Sequence, residues 1–290
     1  YKIRKGLIME IELAREMGFC FGVRRAIEIA EKAVKERDHL ASLGAIVHNR
    51  QVVRSLSSRG MHIVQNLDEV QEGAVLIPSH GVGKGTLAEI RSRNLDLVDA
   101  TCPIVRKAQR AAQQLHEEGF IVVVFGESDH TEVQGLLSWA SDNALAILDV
   151  PDFQTAPTRL GILSQTTQRE DQFADFIARL LKSDIASMSE VRVYNTICDA
   201  TAKRQAAALE LAERVDLMLV IGGYESANTK RLAEICSSVG VETWHIESAE
   251  ELDRLWQAKI YAKGRVGITA GASTPDWVIN EVMEKLKSFS

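Results

Sequence analysis

The sequence predicts an α/β protein of three similar units, each with about four parallel strands, enclosing one central site. Three observations carry this reading. A strand-like run ends, a cysteine stands at the turn and an amphipathic helix begins three times, at Cys20, Cys102 and Cys198. A polar residue at a strand end then follows each cysteine by 28 residues: His48, His130 and Ser226. The apolar runs are continuous and alternate with helical stretches, which is the pattern of parallel sheets covered on both faces.

In the first repeat, Gly18-Phe19-Cys20-Phe21-Gly22-Val23 precedes a helical pattern over 24–35. A short strand running into a polar turn is expected at Leu43-Gly44-Ala45-Ile46-Val47-His48-Asn49-Arg50, and further strands near 61–64 and 74–77. In the second, Leu97-Val98-Asp99-Ala100 leads to Cys102 and a helix over 103–118, followed by strands at 120–125, near 144–148 and at 160–164. In the third, Val191-Arg192-Val193-Tyr194 leads to Cys198 and a helix over 200–214, then strands at 217–221, 242–246 and 266–270. The segments 66–70, 150–154 and 248–252 hold the same place in their repeats. The domains are therefore drawn at 9–96, 97–190 and 191–290, with the N-terminal strand free to pack with another repeat. Met9 has the look of a natural start, so 1–8 is read as an upstream or appended segment.

Composition excludes several classes. Among 290 residues, 46% are hydrophobic and 26% charged, as in ordinary globular chains. A net charge of −6 and the lack of a basic arm give no footprint for nucleic acid. No apolar run approaches the roughly 20 residues of a membrane-spanning helix, and no secretory signal is visible. The expected location is the cytoplasm. Four cysteines do not make a disulfide scaffold. Cys236, inside a helical run, reads as a buried small hydrophobe.

A thiol at a helix start sits in the positive end of the dipole, which favours the thiolate that ligates soft metals. Three converging thiolates suit an iron–sulfur cluster with one iron lacking a protein ligand, or a three-cysteine zinc site. The plain alternative is three small residues packed at helix starts. Around them, His48, His80, His130, Ser226, Asn228, Thr167 and Ser273 all fall at strand-to-helix turns. In open α/β sheets ligands bind beyond the carboxyl ends of the strands, so these donors resemble a site for an anion. Few cations share the turns; Arg50, Lys84 and Lys230 are the nearest. Helix capping is the competing explanation for the hydroxyl and amide groups, whereas the three histidines are poor caps. Glu132 is either a carboxyl kept protonated by an enclosed apolar site or an ordinary acid in the first turn of a helix.

Taken together, these strings resemble the 4-hydroxy-3-methylbut-2-enyl diphosphate reductases of the non-mevalonate isoprenoid pathway. The resemblance runs through Gly18–Ala26, Val47-His48-Asn49-Arg50, Ser79-His80-Gly81-Val82, Asp99-Ala100-Thr101-Cys102-Pro103 and His130 with Glu132-Val133 and Gly135. It continues through Ser164-Gln165-Thr166-Thr167, Cys198-Asp199-Ala200-Thr201 with Arg204-Gln205, Ser226 with Asn228, and Thr269-Ala270-Gly271-Ala272-Ser273 with Pro275-Asp276. The resemblance implies three pseudo-symmetric α/β units with small parallel sheets arranged as a trefoil around a central site. It implies a [4Fe–4S] cluster held by Cys20, Cys102 and Cys198 with one open iron site. The reaction would be reductive dehydroxylation of the allylic diphosphate to isopentenyl and dimethylallyl diphosphate, with electrons from an external ferredoxin- or flavodoxin-type donor. Glu132 would supply the proton, with His130 and Thr167 at the hydroxyl end. His48, His80, Ser226, Asn228 and Ser273 would bind the diphosphate.

The chain departs from the family pattern in two places: Thr131 stands where many members have proline, and Ala227 replaces a second serine beside Ser226. Three other readings compete. They are a quinolinate-synthase-like iron–sulfur dehydratase on a similar trefoil, a non-catalytic metal-sensing protein, and a thiol enzyme without metal.

Overall fold

A computed structural model describes residues 9–141, 144–150, 153, 157–253 and 264–289. Residues 1–8, and with them the expected upstream segment, lie outside that set, as does part of the expected 150–154 segment.

Twelve strands form three four-stranded sheets among the described residues, and every strand pairing is parallel. The strands are β1 (Glu10–Leu13), β2 (Leu40–Leu43), β3 (Met61–Val64), β4 (Ala74–Ile77), β5 (Asp96–Asp99), β6 (Ile121–Phe125), β7 (Ala144–Ile147), β8 (Arg159–Ser164), β9 (Glu190–Tyr194), β10 (Leu217–Ile221), β11 (Glu242–Ile246) and β12 (Arg265–Ala270). The helices are α1 (Phe21–Glu36), α2 (Arg50–Ser57), α3 (Lys84–Ser92), α4 (Pro103–Glu117), α5 (Thr131–Ala140), α6 (Glu170–Asp184), α7 (Asp199–Ala212), α8 (Ala227–Ser238) and α9 (Asp276–Lys287).

The sheets run β3-β2-β4-β5, β7-β6-β8-β9 and β11-β10-β12-β1, one order repeated three times. Each sheet is completed by the strand that leads into the next cysteine. β5 precedes Cys102 yet pairs with β4, β9 precedes Cys198 yet pairs with β8, and β1 precedes Cys20 yet pairs with β12. The boundaries at 96/97 and 190/191 therefore cut through or beside strands that belong to the preceding sheet. Spacing from the cysteines cannot reveal this, because the pairing partner of a parallel strand is chosen by the crossover and not by sequence proximity.

The chain packs as two compact units. One comprises residues up to Cys20, His48–Val52 and everything from Asp199; the other comprises Phe21–Val47 and Val53–Cys198. The first unit holds the sheet of β10, and the second holds the other two.

Coverage on both faces explains the continuous apolar strands. In the first unit, Leu217, Leu219, Ile221, Val266, Ile268 and Ala270 pack with Val278, Ile279 and Val282 of α9. The intervening Met218 and Val220 pack with Ala208 and Leu211 of α7 and Leu232 of α8. Cys236 lies among them, fully buried, and burial pushes its thiol up to about 12. In the second unit, Val122 and Val124 face α4 and α5 through Leu115 and Leu136, while Val123 and Phe125 face α6 through Phe173 and Phe176.

Close packing leaves one measurable mark at Gly161 in β8, where a Cβ would stand 2.6 Å from a Leu115 methyl of α4. Gly161→Ala is expected to lower stability by about 1–3 kcal/mol through overpacking, seen as a lower urea midpoint at unchanged slope.

One strand lies elsewhere than expected. The first repeat's strand is Leu40–Leu43, not the run from Leu43 to Arg50, because Gly44 follows it at φ +81 and turns the chain out of extended geometry. The short segments 66–70 and 248–252 do match: Asn66 and Ser248 each form a capping box with the glutamate three residues on, Glu69 and Glu251.

Candidate active site

The shifted strand makes the polar positions more regular than the sequence suggests. His48, His130 and Ser226 each stand five residues beyond the ends of β2, β6 and β10, and His80, Thr167 and Ser273 each stand three beyond the ends of β4, β8 and β12. All six are at carboxyl ends of parallel strands, where ligands bind in open α/β sheets.

The three cysteines share one local structure. Each is the residue immediately before a helix: α1, α4 or α7. Each is half-buried and free of disulfide. The backbone N–H of Cys20 donates to the Ala272 carbonyl at 3.1 Å, that of Cys102 to Ser79 at 2.9 Å and that of Cys198 to Thr166 at 3.0 Å. Those acceptors directly precede Ser273, His80 and Thr167. A backbone hydrogen bond therefore ties each thiol-bearing turn to a polar turn of the neighbouring strand. Among the described residues, no three His, Cys, Asp or Glu side chains form a group that could hold one metal ion.

The first unit carries Cys20 with His48, Ser226, Asn228 and Ser273. Ser226 is the N-cap of α8, its Oγ accepting from the Thr229 N–H at 3.3 Å, so the capping explanation holds for that oxygen. Its O–H remains available to donate elsewhere. Ser273 Oγ donates to the His48 carbonyl at 3.2 Å, which fixes one turn against the other. Gly223 permits this approach, since a Cβ there would lie 2.4 Å from the His48 oxygen. Asn228 is 5% exposed, and neither its side-chain nitrogen nor its oxygen has a hydrogen-bond partner among the described residues. An orphaned amide costs free energy unless something completes it. Arg50 turns to Glu247 at 3.9 Å, leaving the turns furnished mainly with neutral donors.

The second unit carries Cys102, Cys198, His80, His130, Glu132 and Thr167. Glu132, 4% exposed in the first turn of α5, accepts from the Thr166 N–H at 2.7 Å and from the Thr166 hydroxyl at 2.8 Å. Burial raises its carboxyl above the ordinary range, the two Thr166 bonds oppose that rise, and the charge of Glu127 adds to it. Protonated, Glu132 can donate back to the same hydroxyl, so the acid form also has a partner.

His130 proves to be a cap after all: its Nδ1 accepts from the Glu132 N–H at 3.1 Å. In the neutral ring that leaves the proton on Nε2, making His130 a donor toward its other side. His80 is the opposite case. Its Nδ1 lies 2.9 Å from the Gly81 carbonyl and must donate there, so Nε2 becomes a donor only in the imidazolium. His80 also lines a cavity of about 520 Å³ with Val82, Thr86, Asp129, Thr131 and Gln134. Thr167, half-buried, accepts from Gln165 Nε2 at 3.0 Å. Thr131 occupies the first position of α5, where proline is equally at home because that N–H has no partner within the helix. Its replacement of proline leaves the cap intact.

Sequence reasoning passed over Thr166, although it holds Glu132 with two hydrogen bonds. The residue lies in the quoted string Ser164–Thr167, and its position two beyond the end of β8 matches Ser79 and Ala272, which also bind a cysteine N–H. That equivalence was the available signal.

Comparison with known proteins agrees over the whole length. The LytB protein family matches residues 11–287. A protein of Dehalococcoides mccartyi (strain CBDB1) named 4-hydroxy-3-methylbut-2-enyl diphosphate reductase is 46% identical over 288 residues, covering 97% of this chain and 99% of its own. One of the same name from Geobacter sulfurreducens is 44% identical over 283 residues, covering 97% and 98%. The solved structure of (E)-4-hydroxy-3-methyl-but-2-enyl diphosphate reductase, the terminal enzyme of the non-mevalonate pathway, is 38% identical with a TM-score of 0.69, covering 97% of this chain and 100% of that one. The E-1-hydroxy-2-methyl-but-2-enyl-4-diphosphate reductase of Plasmodium falciparum, 24% identical, shares the fold with a TM-score of 0.86 over 96% of this chain and 87% of that one.

Three parallel sheets with these matches define an α/β enzyme of the oxidoreductase class. The chain belongs to the LytB protein family. No helix among the described residues is long and apolar enough to cross a membrane.

Proposed function

We propose that the protein catalyses reductive dehydroxylation of (E)-4-hydroxy-3-methylbut-2-enyl diphosphate to isopentenyl and dimethylallyl diphosphate. The observation that carries the reading is the threefold recurrence of one cysteine site: helix start, half-burial and a backbone bond to the turn beyond a strand. The donor set fits an iron–sulfur cluster, since three thiolates at helix starts are soft, anionic ligands and leave one iron of four open. Cys20, Cys102 and Cys198 would hold it. When bound, a [4Fe–4S] cluster supplies two electrons, one at a time, from an external carrier of ferredoxin or flavodoxin type.

The remaining chemistry falls to the chain's own side chains. Replacing the allylic C–O bond by C–H takes two electrons and two protons, one proton leaving in water and one remaining on carbon. Burial favours the protonated form of Glu132, which is the proton donor at the reacting end. After transfer, its carboxylate keeps two hydrogen bonds from Thr166, which lowers the cost of the charge left behind. His130 through Nε2–H and Thr167 through its hydroxyl orient the substrate oxygen and the departing water. His48, His80, Ser226, Asn228 and Ser273 would bind the diphosphate. The orphaned amide of Asn228 supports that assignment, because phosphate oxygens would accept from its NH2 group.

Asn228→Ala is accordingly expected to weaken diphosphate binding by about 10- to 150-fold, the worth of a hydrogen bond to a charged group. Thermal stability should hold or rise, since an unsatisfied buried group is removed. Calorimetric titration beside a melting curve checks both. The proposal as a whole is tested by counting iron and sulfide in anaerobically prepared protein and recording its spectrum. About four of each per chain with absorption near 400 nm is expected; zinc in their place removes the proposal.

A further inference from the structure

Arg204, in the second turn of α7, is only 4% exposed. Its Nε and Nη2 donate to the Gly18 carbonyl at 3.2 and 2.9 Å, and its Nη1 donates to the Ala200 carbonyl at 2.7 Å. None of its partners among the described residues is a carboxylate. That is unusual. A guanidinium cannot shed its proton in a protein, and taking such a charge out of water is tolerated when an opposite charge accompanies it. Arg231 illustrates the usual solution, with Glu234 at 2.6 Å. Carbonyl dipoles satisfy three of Arg204's donors but leave its net charge uncompensated.

The location explains what compensates it. Gly18 lies two residues before Cys20, at φ +73, a conformation that side chains resist, and this turn gives Arg204 its acceptor. The arrangement recurs in the other unit. Arg25 Nη1 donates at 3.1 Å to the carbonyl of Thr101, the residue before Cys102, and again no carboxylate is among its partners within the described residues. Two arginines thus grip the backbone just ahead of two thiols, and among the described residues neither has a carboxylate as a direct partner.

We infer that Arg204, seconded by Arg25, supplies a fixed positive charge to the anionic centre at the cysteines and raises its reduction potential. The inference rests on the iron–sulfur reading. One-electron reduction of such a centre, with oxidation of the external carrier, adds one negative charge and moves no proton. A fixed cation therefore stabilises the reduced state more than the oxidised one. Arg204 is a positioning residue in this role; it acts on the substrate only through the centre. A purely mechanical clamp on the Gly18 turn would depend on the forked geometry of arginine and be indifferent to charge.

Anaerobically reconstituted wild type, Arg204→Lys and Arg204→Gln separate the two, with iron and sulfide counted and reduction followed by electron paramagnetic resonance during a redox titration. At fixed potential the reduced-to-oxidised ratio of Arg204→Gln should fall about tenfold, equal to about 59 mV for one electron, with Arg204→Lys within about twofold of wild type. The rise in Tm on reconstitution should also be smaller for the glutamine variant than for the lysine one. The inference is overturned if wild type and Arg204→Gln, holding equal iron, titrate together, or if Lys and Gln shift alike. If Arg204→Gln does not fold or load, the half-buried Arg25 carries the same Lys and Gln comparison, with the same two outcomes. Wild type that takes up no iron sinks the functional reading itself, and that result is distinct from equal potentials in loaded proteins.

Discussion

Glu132→Gln should lower turnover by about 10²–10⁴-fold, the usual contribution of a positioned general acid, while iron content and diphosphate affinity stay at wild-type levels. Glutamine keeps the volume and can still pair with the Thr166 N–H and hydroxyl, so the loss reports the missing proton. The pH profile gives the sharper check. Turnover that needs the protonated carboxyl is full below the Glu132 pKa and falls as pH rises through it. Burial sets that pKa above the ordinary carboxylate range, so the fall lies at higher pH than it would for an exposed glutamate. The Thr166 bonds act in the other direction, and Thr166→Val, which deletes one of them, should carry the falling limb further up in pH. Stability follows the same sign. The contribution of protonated Glu132 is complete below the unfolded-state pKa and is lost as pH climbs through the raised folded one. A profile with no limb removed by Glu132→Gln would assign the proton to another group.

Cys20→Ser, Cys102→Ser and Cys198→Ser should each lose iron and sulfide, and with them all turnover, whereas Cys236→Ser should keep both. If the three thiols in equivalent places serve as one ligand set, no single replacement is mild. Cys236 differs in every relevant respect: it is fully buried inside α8, its thiol is pushed up to about 12, and it packs against α7. Its replacement should register only in stability, as a lower melting temperature. A thiol enzyme without metal predicts the contrary pattern, in which one cysteine alone matters. Iron and sulfide analysis of the four variants decides between them.

Much of this architecture was legible because the chain repeats it. A cysteine at a helix start and a polar residue 28 positions later reflect one helix-plus-strand length by which the chain passes from one sheet to another, so Cys20, Cys102 and Cys198 mark corresponding turns. The continuous apolar strands were readable for a related reason: helices cover both faces, and no alternation survives. What escaped notice depends on contacts between segments distant in sequence. The first repeat's strand was placed too late because the apolar Ala45-Ile46-Val47 looks extended, while Gly44 at φ +81 has already ended the strand. The edge strands β5 and β9 join the preceding sheet, a choice set by crossover geometry. His130 was taken as a poor cap, yet an imidazole Nδ1 reaches the Glu132 N–H as a serine oxygen would. Thr166 and Thr167 are indistinguishable as letters; only the turn beyond β8 decides that Thr166 faces Glu132. Arg204 belonged to a string of the family resemblance without an assigned role, and its burial and carbonyl partners are visible only in the fold.

Anaerobic protein, given a one-electron reductant and (E)-4-hydroxy-3-methylbut-2-enyl diphosphate, tests the proposed reductive dehydroxylation itself. The expected result is conversion to isopentenyl and dimethylallyl diphosphate with two electrons consumed per product. Unchanged substrate in the presence of a fully loaded, reduced protein would contradict the account.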